Sequence, residues 1–201
     1  MTMGDAQRQR LAPEARKDLL LDAAEATFLE KGFAASGLAE IADAAGVSKT
    51  LLYHYYPDGR PELYRAVVDR FRSELLPTLA DAADAPLAAP ERIQRYVDAL
   101  LAFFARHPGA VRLVLLEPWG SGDPSVVAQA IALRTRLTTD VAGMLGSASA
   151  PASRIAAAAS ASIGSVIHLC EQQASGALSA GATRSTAHGF VTGGLRELGL
   201  L

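Results

Sequence analysis

Six polar or aromatic side chains lie within eight consecutive residues, and their types suit contacts with a nucleic acid. A lysine can meet a backbone phosphate or a guanine edge, and hydroxyl groups can bond phosphates or base edges. A tyrosine can do either while its ring packs. The residues are Ser48, Lys49, Thr50, Tyr53, His54 and Tyr55. His54 is equally consistent with a partly packed surface histidine. The six residues form a contact surface only if the fold presents their side chains together.

The stretch LAEIADAAGVSKTLLYHYY, residues 38–56, provides such a scaffold. Residues 38–45 are typical of a short helix, residues 46–47 of a tight turn, and residues 48 or 49 to 55 of a second short helix. This second helix carries the polar and aromatic side chains. We therefore expect two short helices joined at an angle, with the contact residues on the second.

The spacing of three apolar or small residues in this stretch matches a helix-turn-helix. Ala42 is small where two helices would cross, and Gly46 follows where the chain must leave the first helix at positive φ. Leu52 can then fold back onto Ile41 and Ala42. A helix-turn-helix lays its second helix in the major groove of DNA. An ordinary helical hairpin with a glycine turn satisfies the same spacing, so spacing alone leaves both interpretations open.

The flanking residues resolve this ambiguity through a resemblance. The runs AAEATFLEKGF (residues 23–33), EIADAAGVSKTLLYHYY (40–56) and ELYRAVVDRF (62–71) resemble the tetracycline-repressor (TetR) family of transcription regulators. The resemblance is specific over roughly the first 70 residues. It implies an all-α fold of about nine helices. An N-terminal three-helix helix-turn-helix DNA-binding domain (residues 1–60) would precede a C-terminal helical bundle for ligand binding and dimerisation (residues 61–201).

The resemblance also implies roles for individual residues. Tyr53 matches the position most typical of the family, and Tyr56 matches the aromatic residue that anchors the recognition helix. Ser36 lies where a Thr or Ser often touches a phosphate, although an N-cap is the plainer interpretation. Leu51 departs from the family pattern, where a small polar residue is common. Arg60 stands near a usual lysine and is expected to replace its phosphate contact.

The turn PDGRP, residues 57–61, is a second departure, because it has one residue more than the usual connection. Pro61 is expected at the first position of a fourth helix ending near Leu76. Residues 77–90 are rich in Ala, Asp and Pro and are expected to form a linker. Pro13 to Lys31 is expected to form the first helix, with Gly32 ending it.

The C-terminal half shows helical periodicity throughout. An amphipathic helix spans residues 93–104, and His107-Pro108-Gly109 ends it. A short buried helix follows at 110–117, then a loop holding Trp119, then a helix from Pro124 to about Leu145 with Asp123 as N-cap. These helices offer more apolar surface than one hairpin needs, which favours a cavity for a small, largely apolar effector. Its candidate lining residues, which could equally be core, are Phe103, Phe104, His107, Leu113, Leu116, Trp119, Gln129, Leu133 and His168.

The last two helices, at residues 152–175 and 184–200, are rich in small residues. The first carries the stripe Ala157, Ser160, Ala161, Gly164 and Ser165, and the second contains Gly189, Gly193 and Gly194. Glycine inside a helix costs about 1 kcal/mol relative to alanine, so close helix packing is the natural compensation. Packing within the chain would suffice, but the family resemblance favours a homodimer formed through these two helices.

Composition limits the remaining classes of function. The net charge is −2, and residues 1–72 carry ten Lys or Arg against eleven Asp or Glu, so this half is not basic overall. Such a balance weakens the electrostatic case for DNA, since phosphate contacts supply most non-specific affinity. A polar N-terminal arm with Arg8 and Arg10 can reach DNA or simply be disordered.

Localisation and redox state follow from a few further features. The single cysteine, Cys170, excludes an intrachain disulfide. The N-terminus lacks the apolar core of a signal peptide, and the weakly charged run 155–170 is too short and too rich in Ala and Ser for a bilayer span. We therefore expect a soluble cytoplasmic protein without a membrane partner.

No enzyme motif emerges from the sequence. There is no nucleophile elbow, phosphate loop, dinucleotide fingerprint or zinc-type HExxH, and the four histidines are scattered. We therefore expect no catalytic residues, no metal and no cofactor. The leading hypothesis is a homodimeric regulator, most simply a repressor, that an effector releases from a palindromic double-stranded DNA operator. A helical small-molecule carrier with a structural helix-turn-helix is the alternative, and retention on duplex DNA separates the two.

Overall fold

The computed structural model describes residues 12–146 and 149–201, with every side chain in them except those of residues 119 and 120. The sequence analysis proposed roles for Arg8, Arg10 and Trp119, but both arginines and the Trp119 side chain lie outside the described part. Eight α-helices are present there: α1 (Pro13–Ala35), α2 (Leu38–Ala44), α3 (Lys49–Tyr55), α4 (Arg60–Ala83), α5 (Ala89–Arg106), α6 (Pro124–Met144), α7 (Ala152–Ala174) and α8 (Ala180–Glu197).

A π-helical segment (Arg112–Leu116) and a 3-10 turn (Glu117–Gly120) connect α5 to α6. With the π-helical segment counted, the described residues form nine helices and no strand. The prediction of an all-α fold with an N-terminal helix-turn-helix domain is therefore confirmed.

Helices α1 to α3 form where the sequence predicted them. Regular helical geometry in α1 is interrupted at Gly32, whose φ of 80° and ψ of 167° suit glycine. Gly46 also has a positive φ, 65°, and turns the chain between α2 and α3. Ile41 and Leu52 are fully buried, which means that the two short helices pack through the apolar residues that the spacing indicated.

Helix α4 is longer than predicted, because it continues through Pro77 to Ala83. A proline inside a helix removes one hydrogen bond and costs about 3 kcal/mol. Leu75, Leu79 and Ala82 on both sides of it are buried, and this burial offsets the cost. The predicted linker at residues 77–90 is therefore wrong over most of its length. Helix α4 packs against α1, α5 and α6, which makes it common to both halves of the molecule.

The C-terminal bundle consists of α5 to α8, with α5 and α6 packed against α4. Its packing follows the predicted periodicity, since the buried residues of α6 are the predicted ones: Val126, Ala130, Leu133, Leu137, Val141 and Met144. Asp123 caps α6 as expected, because its carboxylate accepts hydrogen bonds from the backbone N–H groups of Ser125 and Val126.

Helix α7 has the length and composition of a possible membrane span, with 23 residues and a best-window mean hydropathy of 1.2. From the sequence we expected no membrane span here, because the run 155–170 is too short; the helix is longer than that run. Its apolar side is used within the bundle, since Ile163, Val166, Ile167 and Cys170 are buried and α7 packs against α5, α6 and α8. Core helices of globular proteins have the same properties.

Candidate nucleic-acid interface

Helix α3 presents a polar face while its apolar residues hold it in place. Ser48 is its N-cap, and the Ser48 hydroxyl accepts a hydrogen bond from the backbone N–H of Leu51 over 3.2 Å. Lys49 and Thr50 in the first turn are exposed, as are Tyr53 and His54. Leu52 is fully buried beneath them. Most of the predicted recognition residues are therefore exposed, whereas Tyr55 is half-buried.

The exposed side chains of α3 also contact one another. The ammonium group of Lys49 lies 5.9 Å from the centroid of the Tyr53 ring, a distance at which a cation and an aromatic face attract. The rings of His54 and Tyr55 meet edge to face with centroids 5.3 Å apart. These contacts limit the number of orientations that the side chains adopt before they meet a ligand.

Tyr56 anchors the C-terminal end of α3, as the family resemblance implied. Its side chain is buried, and its hydroxyl group has no hydrogen-bond partner among the described residues. Burial raises the pKa of Tyr56 above its ordinary value of 10.0. The ring therefore serves packing and stays neutral at physiological pH.

The unusual turn after α3 packs tightly against the recognition helix. A Cβ atom at Gly59 would lie 3.0 Å from Cδ1 of Leu38 and 3.3 Å from Cε1 of Tyr53, and Gly59 has a φ of 69°. A glycine is therefore needed both for the backbone conformation and for the space. Helix α4 begins at Arg60, one residue earlier than predicted, so Pro61 is its second residue.

Arg60 has intramolecular partners instead of the open position expected of a phosphate-binding residue. Its guanidinium donates hydrogen bonds to the carbonyl groups of Ala34 and Ser36, over 3.0 and 3.2 Å. It also lies 4.7 Å from the centroid of the Phe33 ring. In this structure Arg60 ties the connection between α1 and α2 to the start of α4.

Ser36 is also placed differently from its expected role. It is buried, and its hydroxyl donates hydrogen bonds to the carbonyl groups of Gly32 and Thr27. Gly37, not Ser36, is the N-cap of α2, so the N-cap interpretation is wrong. The burial of this hydroxyl leaves it no route to a DNA phosphate. The bond to Gly32 is of the local i−4 type that serine often makes, whereas the bond to Thr27 depends on how the chain turns at Gly32.

The residues predicted to line a ligand cavity are dispersed between core and surface. Phe103, Phe104, Leu113 and Leu133 are buried core residues. His107 packs on the rings of Phe71 and Phe103 and lies 3.1 Å from a carboxylate oxygen of Glu74. His168 is exposed and pairs with Glu171. These are the roles of ordinary core and surface residues.

Gln129 and Leu116 have less ordinary positions. The side-chain oxygen Oε1 of Gln129 is buried without a hydrogen-bond partner in the described part of the molecule, which is costly for an amide. Leu116 lines a cleft of about 370 Å³ between α1 and the 3-10 turn. Of the other predicted residues whose side chains are described, none lines any of five clefts with volumes of about 310 to 400 Å³. The ligand site stays a prediction.

The described side chains include no group of three or more His, Cys, Asp or Glu that could hold a metal ion. Cys170 is buried, and burial raises its pKa to about 12, so the thiol is a packing group.

The outer surfaces of α7 and α8 lack neighbours at the positions of their glycines. A Cβ atom built at Gly164, Gly189, Gly193 or Gly194 would meet no atom within 4 Å. The stripe residues Ala157, Ser160 and Ala161 are exposed, and Phe190 is 62% exposed. Close packing within the chain therefore does not account for these glycines.

Comparison with known proteins agrees with this architecture. The family model of bacterial regulatory proteins of the tetR family matches residues 20–67, which contain α2, α3 and most of α1. A transcriptional activator of Mycolicibacterium smegmatis, FasR, is 32% identical over 137 residues, covering 68% of this chain and 61% of FasR. The regulator RutR of Escherichia coli is 36% identical over 141 residues, covering 69% of this chain and 61% of RutR. The chain thus spans about three fifths of the length of these relatives.

The similarity extends to solved structures. A TetR-like transcriptional regulator from Rhodococcus sp. RHA1 superimposes with a TM-score of 0.79 and 26% identity, covering 93% of this chain and 99% of that one. These relatives are named as transcriptional regulators. A repressor of Streptomyces coelicolor is 32% identical over 105 residues, covering 52% of this chain and 50% of the repressor.

Proposed function

Because the chain belongs to the TetR family of helix-turn-helix transcriptional regulators, we propose that it works as a homodimeric, ligand-responsive repressor of a palindromic operator. The observation that carries this proposal is the exposed polar face of α3, with Lys49, Thr50, Tyr53 and His54 held above the buried Leu52. A helix of this kind, placed second in a helix-turn-helix, is suited to the major groove. The protein would act in the cytoplasm, where its DNA lies.

Dimerisation would proceed through α7 and α8. Support comes from the exposed small residues of both helices and from the exposed ring of Phe190. A two-fold dimer presents two copies of α3, which is why the operator is expected to be an approximate palindrome. Glycine and alanine on this surface would allow close approach of the partner helices.

The effector is proposed to be small and largely apolar, and to bind within the bundle of α4 to α7. The side-chain oxygen of Gln129 on α6, which is buried without a hydrogen-bond partner among the described residues, is a group that a ligand could satisfy. One relative is named as a repressor and another as an activator. Repression is proposed because occupancy of a promoter by a dimer requires no contact with the transcription machinery.

The function is tested by selecting bound duplexes from a random DNA pool and then footprinting the protein on the enriched sequences. We expect two matching half-sites whose centres lie about 10 base pairs apart, or a multiple of that spacing. A reporter fused to the selected site should be derepressed when the gene is deleted. Failure to enrich any sequence would contradict the proposal and favour a carrier.

A further inference from the structure

The end of α1 makes unusually close contacts with the segment that connects α5 to α6. A Cβ atom at Gly32 would lie 2.8 Å from Oε2 of Glu117, and one at Gly109 would lie 2.7 Å from Cδ2 of Leu29. Both distances are shorter than the 3.0 Å within which real Cβ atoms essentially never approach another heavy atom. Two glycines, one on each side, therefore allow the DNA-binding half and the bundle to touch here.

Glu117 and Arg112 use this proximity to bind the end of α1. Oε2 of Glu117 accepts a hydrogen bond from the backbone N–H of Phe33 over 3.2 Å, and Oε1 lies 3.1 Å from Nε of Arg112. Arg112 in turn donates to the carbonyl group of Leu29 over 2.7 Å. One ion pair on the bundle therefore holds two backbone groups on either side of the break at Gly32.

The two members of this ion pair, Arg112 and Glu117, also close a π-helical turn. The backbone N–H of Glu117 bonds to the carbonyl group of Arg112, five residues earlier. Such π turns are rare and occur frequently at functional sites. The next carbonyl group, that of Leu113, would need the N–H of Pro118, which a proline lacks. The hydroxyl of Tyr64 donates to this carbonyl group instead.

Tyr64 lies on α4, the helix common to both halves, so this segment contacts both α1 and α4. Another tie, in which Arg70 binds Asp22 and Glu25, joins α1 to α4. These ion pairs join the DNA-binding half to α4, the helix that follows it in the chain. The Arg112–Glu117 pair, by contrast, reaches α1 from the segment between α5 and α6.

We propose that the Arg112–Glu117 pair is a positioning device, which orients the DNA-binding domain on the bundle while residues 112–116 keep their π-helical form. Conversion of this segment to a regular α-helix would rotate Glu117 by about 100° and withdraw its carboxylate from Phe33. The inference deepens the proposed regulatory function and rests on it. An effector that binds the two forms with different affinity would shift the orientation of the recognition helices.

Distance measurements between the two halves of one chain test this proposal without DNA or effector. Spin labels are attached at Asp43→Cys on α2 and Ala128→Cys on α6, both exposed positions, and labelled chains are diluted into unlabelled ones. Cys170 is buried, and its thiol is expected to remain unlabelled. The parent should give one narrow distance distribution.

Replacing Glu117 should loosen the orientation without unfolding either half. Glu117→Ala is expected to broaden the distribution about twofold, since loss of a local restraint is amplified into domain motion. Glu117→Gln should broaden it less, because an amide oxygen still accepts the hydrogen bond of Phe33. Glu74→Gln is the matched control, because it weakens an ion pair with Arg106 and His107 that does not involve the DNA-binding half.

The outcomes separate a positioning role from a structural one. A purely structural role would lower the melting temperature of both Glu117 variants and leave the distance distribution as narrow as in the parent, which would overturn the proposal. If Glu117→Ala does not fold, Glu117→Gln decides by the same criterion. A parent that binds no DNA, together with a broadened distribution in the variants, would overturn the regulatory function and leave the positioning role in place.

Discussion

At the junction between the two halves, glycines face atoms of the same chain, whereas on the last two helices they face open space. A Cβ atom at Gly32 or Gly109 would come within 3.0 Å of a side-chain atom of this chain. A Cβ atom at Gly164, Gly189, Gly193 or Gly194 would meet nothing within 4 Å. The two regions use the same residue type in different surroundings.

The difference indicates which contacts are complete in a single chain. At the junction the glycines are compensated by the contacts that they allow, such as the hydrogen bond between Glu117 and Phe33. In α7 and α8 each helical glycine costs about 1 kcal/mol relative to alanine, and no close contact within the chain offsets this cost. A partner helix would provide the compensation, which is the physical case for a dimer through these helices.

The largest effect is expected from arginine on the open surface. Gly164→Arg or Gly194→Arg should weaken dimerisation on the order of 100-fold, because each buries a charge without a partner. Analytical ultracentrifugation of folded variants measures the change. Gly143→Arg is the control, since Gly143 on α6 is also exposed and equally free of neighbours. Dimers of parental affinity in both α7 and α8 variants would place the interface elsewhere.

A smaller effect is expected when a methyl group is added at the junction. Gly32→Ala should lower the free energy of unfolding by about 2 kcal/mol, because both its backbone conformation and its contact with Glu117 exclude a side chain. Gly46→Ala should cost about 1 kcal/mol, since Gly46 has a positive φ but no neighbour within 4 Å. Chemical denaturation measures both values.

A double substitution separates the two causes. Adding Glu117→Ala removes the atoms that a Cβ at residue 32 would strike, so Gly32→Ala should cost less in that background than in the parent. Equal costs in both backgrounds would show that the carboxylate of Glu117 does not press against Gly32.

Arg60 provides a test of whether the turn after α3 serves the fold or the DNA. Arg60→Ala should lower the free energy of unfolding by about 1 to 2 kcal/mol, because two carbonyl groups lose their donor and Phe33 loses its cation partner. The salt dependence of DNA binding should stay unchanged. If the variant instead shows a weaker salt dependence of DNA binding and unchanged stability, Arg60 contacts a DNA phosphate.

The smallest effect concerns the cap that starts α6, just after the junction. The hydrogen bonds of Ser125 and Val126 lower the pKa of Asp123 below its ordinary value of 3.8. A lowered pKa in the folded state adds stability above the pKa of the unfolded chain, and this stability is lost as the pH falls through the folded value.

The melting temperature of the parent should therefore decrease below about pH 4 in part through Asp123. Asp123→Asn keeps an accepting oxygen and should remove this part of the pH dependence, while Asp123→Ala should cost about 1 kcal/mol at neutral pH. Identical acid profiles of the parent and the Asp123→Asn variant would show that this cap does not contribute.

Local patterns predicted most of the fold, and long-range contacts explain what they missed. Gly46, the short helices beside it and the buried face of α6 follow from local conformation and periodicity. Helix α4 continues past Pro77 because the burial of leucines on both sides offsets the cost of a proline inside the helix. A rule that ends helices at proline does not take this burial into account. Arg60 bonds to the carbonyl group of Ala34, 26 residues away, whose position only the folded chain defines. The same holds for Glu117, whose partner Phe33 lies 84 residues away.

The role of α3 is tested most directly by the salt dependence of binding to the selected operator, measured for the parent and for Lys49→Ala. Lys49 is exposed at the start of α3 and makes no ion pair among the described residues. If its ammonium group meets a phosphate, the logarithm of the binding constant should depend less steeply on the logarithm of the salt concentration, by about one unit. Circular dichroism confirms that the variant is folded. A folded Lys49→Ala protein that binds the operator with parental affinity and parental salt slope would contradict the assignment of α3 as the recognition helix.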